Sequence, residues 1–175
     1  MRRWRRMDPW GATQAFAGLM ALAGSAMAVA VVISAGRALA QGRMAAPAAL
    51  GLAVALLFLG LWLTFVLRMY LAGIYVNDEG LRLRHVFRTH TFQWSEVTGF
   101  EARPALFLDE PTVRDACWVR TTSGAFESAV QRRSREMGWR KNNGPVLSSD
   151  DFDGMLALLD AEWAAHRYGP QVVQY

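Results

Sequence analysis

The hydrophobic pattern along the chain has two textures, and the change between them comes near Arg68. From Gly11 to Gly36, and again from Ala45 to Leu67, there is no charged residue. Each run exceeds the roughly 20 residues a helix needs to cross about 30 Å of hydrocarbon, so each predicts a transmembrane helix. The connection, "RALAQGRM", is too short for a domain, which predicts an antiparallel hairpin.

After Arg68 the runs shorten and alternate with period two. "GIYV" is a strand candidate, "NDEG" supplies turn chemistry with Gly80 suited to positive φ, and "LRLRHVF" alternates apolar with basic residues. "RTHTFQW" and "VTGFEAR" continue the series. A break is expected around Pro104 and Pro111, and "ACWVRTTSGAFESAV" reads as two strands about a Thr-Ser-Gly turn. Beyond the basic, loop-like "QRRSREMGWRKNNGP", the segment from Ser148 opens with Ser/Asp start signals. It then places Phe152, Met155, Leu156, Leu159 and Trp163 on one helical face. The predicted fold is a two-helix transmembrane hairpin followed by a mainly-β small barrel of six or seven antiparallel strands, whose open end a C-terminal α-helix plugs. The expected divisions are a basic cytoplasmic tail (1–11), the first transmembrane helix (12–36), a short external loop (37–46), the second transmembrane helix (47–70) and a cytosolic domain (71–175).

Composition agrees with a membrane portion: 53% of the 175 residues are hydrophobic and the mean hydropathy is +0.10, high for a purely soluble chain. The pI near 9.8 invites a nucleic-acid reading, but the placement of charge opposes it. The first seventy residues carry seven arginines against Asp8 alone, whereas from Leu71 onward twelve bases face fourteen acids. Bases that flank apolar spans are an orientation signal, not a nucleic-acid footprint. The arginine counts near the span ends predict a multi-pass protein of the inner (plasma) membrane with both termini cytoplasmic. A cleaved signal peptide competes, with Ala38 to Ala40 as the peptidase site, although the apolar stretch is longer than the usual 7 to 15 residues. Cleavage leaves the C-terminal part inside in either case.

Neither span has a charged residue in its middle, which argues against conduction or pumping. Small residues four apart, Ala17/Ala21/Ser25 and Gly24/Ala28 in the first span and Ala49/Ala53 and Gly51/Ala55 in the second, predict close packing within the hairpin. Cys117 is the single cysteine, so one chain builds neither a disulfide nor a cysteine zinc site, and in "ACWVR" it reads as a buried small hydrophobe. His85 and His90 lie in neighbouring strands with no third ligand in sight, so no metal or other cofactor is expected. No G-x-S-x-G, phosphate-cradling Gly-rich loop, H-E-x-x-H or Cys/His nucleophile arrangement is present, so no catalytic residue is assigned. Asp150 and Asp151 read as charges favourable to a helix N-terminus.

Two membrane helices followed by "GIYVNDEGLRLRHVFRTHTFQWSEVTGF" resemble the bacterial pleckstrin-homology-like (PH-like) domains of small actinobacterial membrane proteins. The resemblance is carried by Asp78-Glu79-Gly80-Leu81 and by Trp94-Ser95-Glu96-Val97. It is good from Gly73 to Arg103, weaker from Ala116 to the final helix, and absent between Arg103 and Asp115. It implies a PH-like barrel with no enzymatic activity that binds a protein or peptide partner at the inner leaflet. Eukaryotic PH domains that bind phosphoinositides place bases in the first two strands and in the loop between them. Here the first strand has none and the loop is acidic, through Asp78 and Glu79, which repels a phosphorylated headgroup. Arg82 and Arg84 are accordingly read as the solvated outer face of the second strand. The alternative function, a sensor of anionic lipid headgroups, rests on a second basic cluster: Arg132, Arg133, Arg135, Arg140 and Lys141, with Trp139 among them. Each such base is worth around 1 kcal/mol near an anionic membrane. The expected partners are therefore the bilayer and a protein, with self-association left open and nucleic acid excluded.

Overall fold

The computed structural model describes residues 3–42, 46–108, 110–133 and 145–169. The chain forms two compact units: Ala15–Tyr70 is one, and the other joins Met1–Gln14 to Leu71–Tyr175 across the sequence gap between them.

The helical unit is built on α1 (Ala12–Ala40) and α2 (Ala46–Tyr70), of 29 and 25 residues. At 1.5 Å per residue they are about 44 and 38 Å long, more than a bilayer's hydrocarbon thickness. Their large side chains point outward, with Leu22, Leu50 and Phe58 all exposed, the pattern expected where lipid is the solvent. Ala17, Ala21 and Val66 form a buried seam, with Trp62, Met69 and Tyr70 packed against it. A Cβ on Gly24 would come within 2.3 Å of the Trp62 ring and 2.9 Å of Leu63. The small face of α1 is thus a groove for bulky residues of α2. The expected pairing of small residues from both helices is not formed: Ala49, Gly51, Ala53 and Ala55 of α2 are exposed, and bulky residues of α2 meet the small face of α1 instead.

The other unit is two four-stranded sheets and a helix. In order, the first sheet is β1 (Arg5–Arg6), β2 (Gly73–Val76), β3 (Gly80–Arg84) and β4 (Thr89–Gln93); the second is β5 (Val97–Phe107), β6 (Glu110–Thr121), β7 (Gly124–Arg132) and β8 (Val146–Leu147). Six strands of four or more residues make the antiparallel barrel that the period-two pattern predicts. The two-residue β8 differs, joining β7 in parallel. In β3 the leucines face inward and the arginines outward, so Leu81 and Leu83 are wholly buried. They meet Ile74, Val97, Val119, Val130 and Leu147 in one core, which α3 (Ser149–Tyr168) closes with Phe152, Met155 and Leu159. Ser148 caps α3 by accepting from the Asp151 N–H, and the partly buried Trp163 donates its indole N–H to the Val97 carbonyl at 2.8 Å.

Three local expectations are corrected. Arg5 and Arg6 do not sit in a tail: they pair with Val76 and Tyr75 as an edge strand of the first sheet. The break expected at Pro104 and Pro111 is a continuous hairpin, in which Pro104 pairs with Asp115 and Leu106 with Pro111. Proline is tolerated there because β5 is an outer strand, because a bulge follows Pro104, and because β7 pairs only with Ala116 to Thr121 of β6. Gly80 does not supply positive φ. It pairs with Gln93 of β4, and a Cβ there would sit 2.0 Å from the Phe92 carbonyl oxygen. The turn itself is made by Asn77, whose Oδ1 accepts from the N–H groups of Glu79 and Gly80.

Gly80→Ala is therefore expected to destabilise the barrel by about 1–3 kcal/mol through overpacking against backbone. Gly154→Ala, in open space on α3, is expected to stabilise it by roughly 0.5–1 kcal/mol. Thermal melts of the purified protein followed by near-ultraviolet circular dichroism check both signs, and equal effects would contradict the close approach at Gly80.

Candidate functional site

Two places in the mainly-β unit combine polar chemistry with shape. The first is a groove of about 860 Å³ between the β3–β4 turn, the tip of the β5–β6 hairpin and the start of β7. His85 enters it from the end of β3, and its Nε2 lies 2.7 Å from the Glu127 carbonyl oxygen. A carbonyl only accepts, so Nε2 carries the proton in the neutral ring. Burial lowers the His85 pKa, and His90 and Arg88 push it the same way, against the Glu127 hydrogen bond. Burial likewise raises the pKa of the Glu127 carboxyl, although the Leu106 N–H donates to it at 3.2 Å. His90 stacks on Phe92, at 6.1 Å between centroids and 6° between planes, and packs against Phe126 at 5.2 Å. Phe87, Phe126, Leu106 and Leu108 supply apolar wall, while His85, His90, Arg88 and Glu127 make the rest of it polar or charged.

The second place is the N-terminal clamp. Arg6 donates from Nε to the Asp8 carboxylate at 3.0 Å and from Nη2 to the Ala72 carbonyl at 2.8 Å. The other Asp8 oxygen accepts the Ile74 N–H at 2.8 Å. Both side chains are buried, the carboxylate completely. Sequence reasoning counted Asp8 only as a charge; the available signal was that it is the one acid among the N-terminal arginines. Around this clamp Arg82 lies over the Trp4 ring at 4.1 Å, and Arg84 over Tyr75 at 5.3 Å. The arginine row is thus packed on aromatic faces, one of them from the N-terminal segment, and is not simply a solvated outer face.

Residues 73–150 match the family model of the bacterial PH domain. The chain carries a bacterial PH domain. No curated protein and no solved structure gives a significant match. The matched span of this PH domain includes both short motifs. Trp94 is buried, with its indole N–H donated to the Asn77 carbonyl at 2.8 Å, and Val97 is buried beside it, while Ser95 and Glu96 face out. The corner joins the two sheets of the PH domain, and the Trp94 ring also stacks on His166 of α3 at 4.8 Å.

The basic cluster of the PH domain is only partly visible. Arg132 is bound by Asp153 and lies 3.5 Å from Asp115, with its guanidinium over the Phe152 ring at 4.9 Å. It is a strut between β7 and α3 before it is anything else. Arg133 follows the end of β7, and Arg135, Trp139, Arg140 and Lys141 lie outside the described residues. Among the described residues no group of three His, Cys, Asp or Glu converges to hold a metal. Cys117 is wholly buried and its thiol pKa is pushed up to about 12 by burial, so it is inert packing.

Two outcomes follow for the PH domain. Asp8→Ala strands a buried guanidinium and the Ile74 N–H, and is expected to cost about 3–5 kcal/mol, read as faster amide hydrogen exchange at Ile74 and lower thermal stability. For His85, the unfolded chain binds the proton more readily than the folded one. The stability it contributes is present above the unfolded pKa of about 6.5 and is lost as pH falls toward the lowered folded value. His85→Gln should flatten that part of the pH–stability profile; an unchanged slope would assign the dependence to another group.

Proposed function

We propose that this chain is a non-enzymatic integral membrane protein that presents its PH domain at the inner leaflet, with both termini cytoplasmic, to bind a protein or peptide partner. One observation carries the reading: the segment before α1 and the chain after α2 belong to the same folded unit. A β1–β2 pairing and a buried Arg6–Asp8–Ile74 clamp hold them together. Two helices that start and finish in one globular unit cross a bilayer as a hairpin, and the arginine excess at those ends favours the cytoplasmic side. Binding, and not chemistry, fits the groove, whose walls of Phe126, His90 and Leu106 suit an apolar or aromatic side chain. The outer strands β4 and β5 end the two sheets and suit an added peptide strand. The edge of β2 is already taken by β1. The alternative is sensing of anionic lipid by the loop from Arg132 to Lys141, of which Arg132 is itself engaged by two aspartates.

Topology is the direct test. Reporters placed before Arg3 and after Tyr175 should both be active only as cytoplasmic fusions. Opposite signals at the two ends would contradict the hairpin, and external activity at both would reverse the orientation. In the chain reconstituted into vesicles, protection of the Arg132 to Lys141 loop from protease that rises with anionic lipid content, and is lost on Arg133→Gln, Arg140→Gln and Lys141→Gln, would favour the lipid-sensing alternative; protection independent of lipid charge would oppose it.

A further inference from the structure

The end of the PH domain through which the chain enters from α2 is unusually apolar at its surface. Leu71 and Ala72 alone separate α2 from Gly73, the first residue of β2. Gly73 pairs with Arg84, and Arg84 with Thr89, so the β3–β4 turn lies at that same end of the sheet. Phe87 stands in this turn, 79% exposed. Beside it, sharing the groove wall, is the tip of the β5–β6 hairpin, where Phe107 is 70% exposed and Leu108 84%. The His85–Glu127 and Glu127–Leu106 hydrogen bonds tie turn and tip into one structure. Val113, opposite on the hairpin, is 92% exposed.

Turn chemistry does not call for these residues. Leu108 has φ 51°, a left-handed conformation that Gly or Asn adopts more cheaply. The turn itself therefore does not account for an exposed leucine at this position. Trp10 and Leu71, which belong to the same unit and flank the two apolar helices, are exposed as well, and tryptophan at such a boundary sits at headgroup level.

We propose that the β3–β4 turn at Phe87 and the hairpin tip at Phe107 and Leu108 insert into the interface of the bilayer that α1 and α2 cross. The PH domain then has a membrane contact of its own beside its two covalent attachments. This rests on the reading that α1 and α2 span a membrane. Insertion is driven by apolar side chains: the turn carries Arg88, while Asp109 and Glu110 follow Leu108 in sequence, so anionic headgroups offer no net attraction.

The full chain carrying Phe107→Cys, labelled with an environment-sensitive fluorophore, is reconstituted into phosphatidylcholine vesicles with and without phosphatidylglycerol. Cys117 is buried and its thiol stays protonated, so the label goes to the new cysteine. Only vesicle protein that resists alkaline carbonate extraction is scored, so failure of the helices to insert registers separately. The expected result is blue-shifted emission that is largely lost on adding nitroxide-labelled lipid, in both compositions. A label at Ser123→Cys, in the β6–β7 turn, should emit as in water and be unaffected. Solvent-like emission at position 107 overturns the proposal. Blue-shifted emission insensitive to nitroxide lipid also overturns it, because a polypeptide, either a second copy or another protein, then covers the tip.

Discussion

The buried ion pair of Arg6 and Asp8 is the constraint on which the rest of the arrangement depends. Its carboxylate accepts from the Ile74 N–H, and its guanidinium donates to the Ala72 carbonyl. The pair therefore binds the chain just before α1 to the chain just after α2. A buried charge pair is weak evidence for stability, because desolvation offsets much of the Coulomb attraction. What such a pair supplies is position. The geometry satisfies the charges only when the N-terminal segment lies along β2. The Met7 N–H then bonds to the Ile74 carbonyl at 2.9 Å, and Trp4 comes over Arg82.

From that clamp the PH domain is assembled by indole anchors and a shared core. Trp94 ties the corner between the sheets to the β2–β3 turn, and Trp163 ties α3 to the start of β5. Each places a large apolar ring in the interior while its one polar atom meets a backbone carbonyl, so burial leaves no donor unsatisfied. Arg132 plays the corresponding part at the other end of α3, where Asp153 and Asp115 neutralise it and the Phe152 ring receives its face. The tip of the β5–β6 hairpin lies away from these anchors, with Phe107 and Leu108 exposed. This apolar tip is a feature that packing does not explain.

Much of this was legible in the residues. Two uncharged runs longer than a bilayer is thick admit few structures, because backbone groups in hydrocarbon must be satisfied within a helix. Period-two alternation determined β3 in the same local way, since Leu81 and Leu83 must face one side if Arg82 and Arg84 face the other. Ser148 and the 3.6-residue spacing of Phe152, Met155 and Leu159 marked α3. The Trp94-Ser95-Glu96-Val97 corner was readable as two buried residues around two exposed ones, and it carried the resemblance that the family match supports.

Other features depend on partners far away in sequence, and no local pattern contains them. Asp8 became a buried clamp because Ile74, 66 residues later, presents its N–H there. Gly80 answered to the Phe92 carbonyl in place of a turn. Pro104 stayed in a strand because β5 lies at a sheet edge, and Arg132 was claimed by acids on β6 and α3. The exposed row at Leu106 to Leu108 looked like a chain break because its neighbour, the turn at Phe87, is close only in three dimensions. Element type follows from the periodicity of a few adjacent residues, whereas the role of a charge, a glycine or an exposed ring follows from which distant group the fold brings against it.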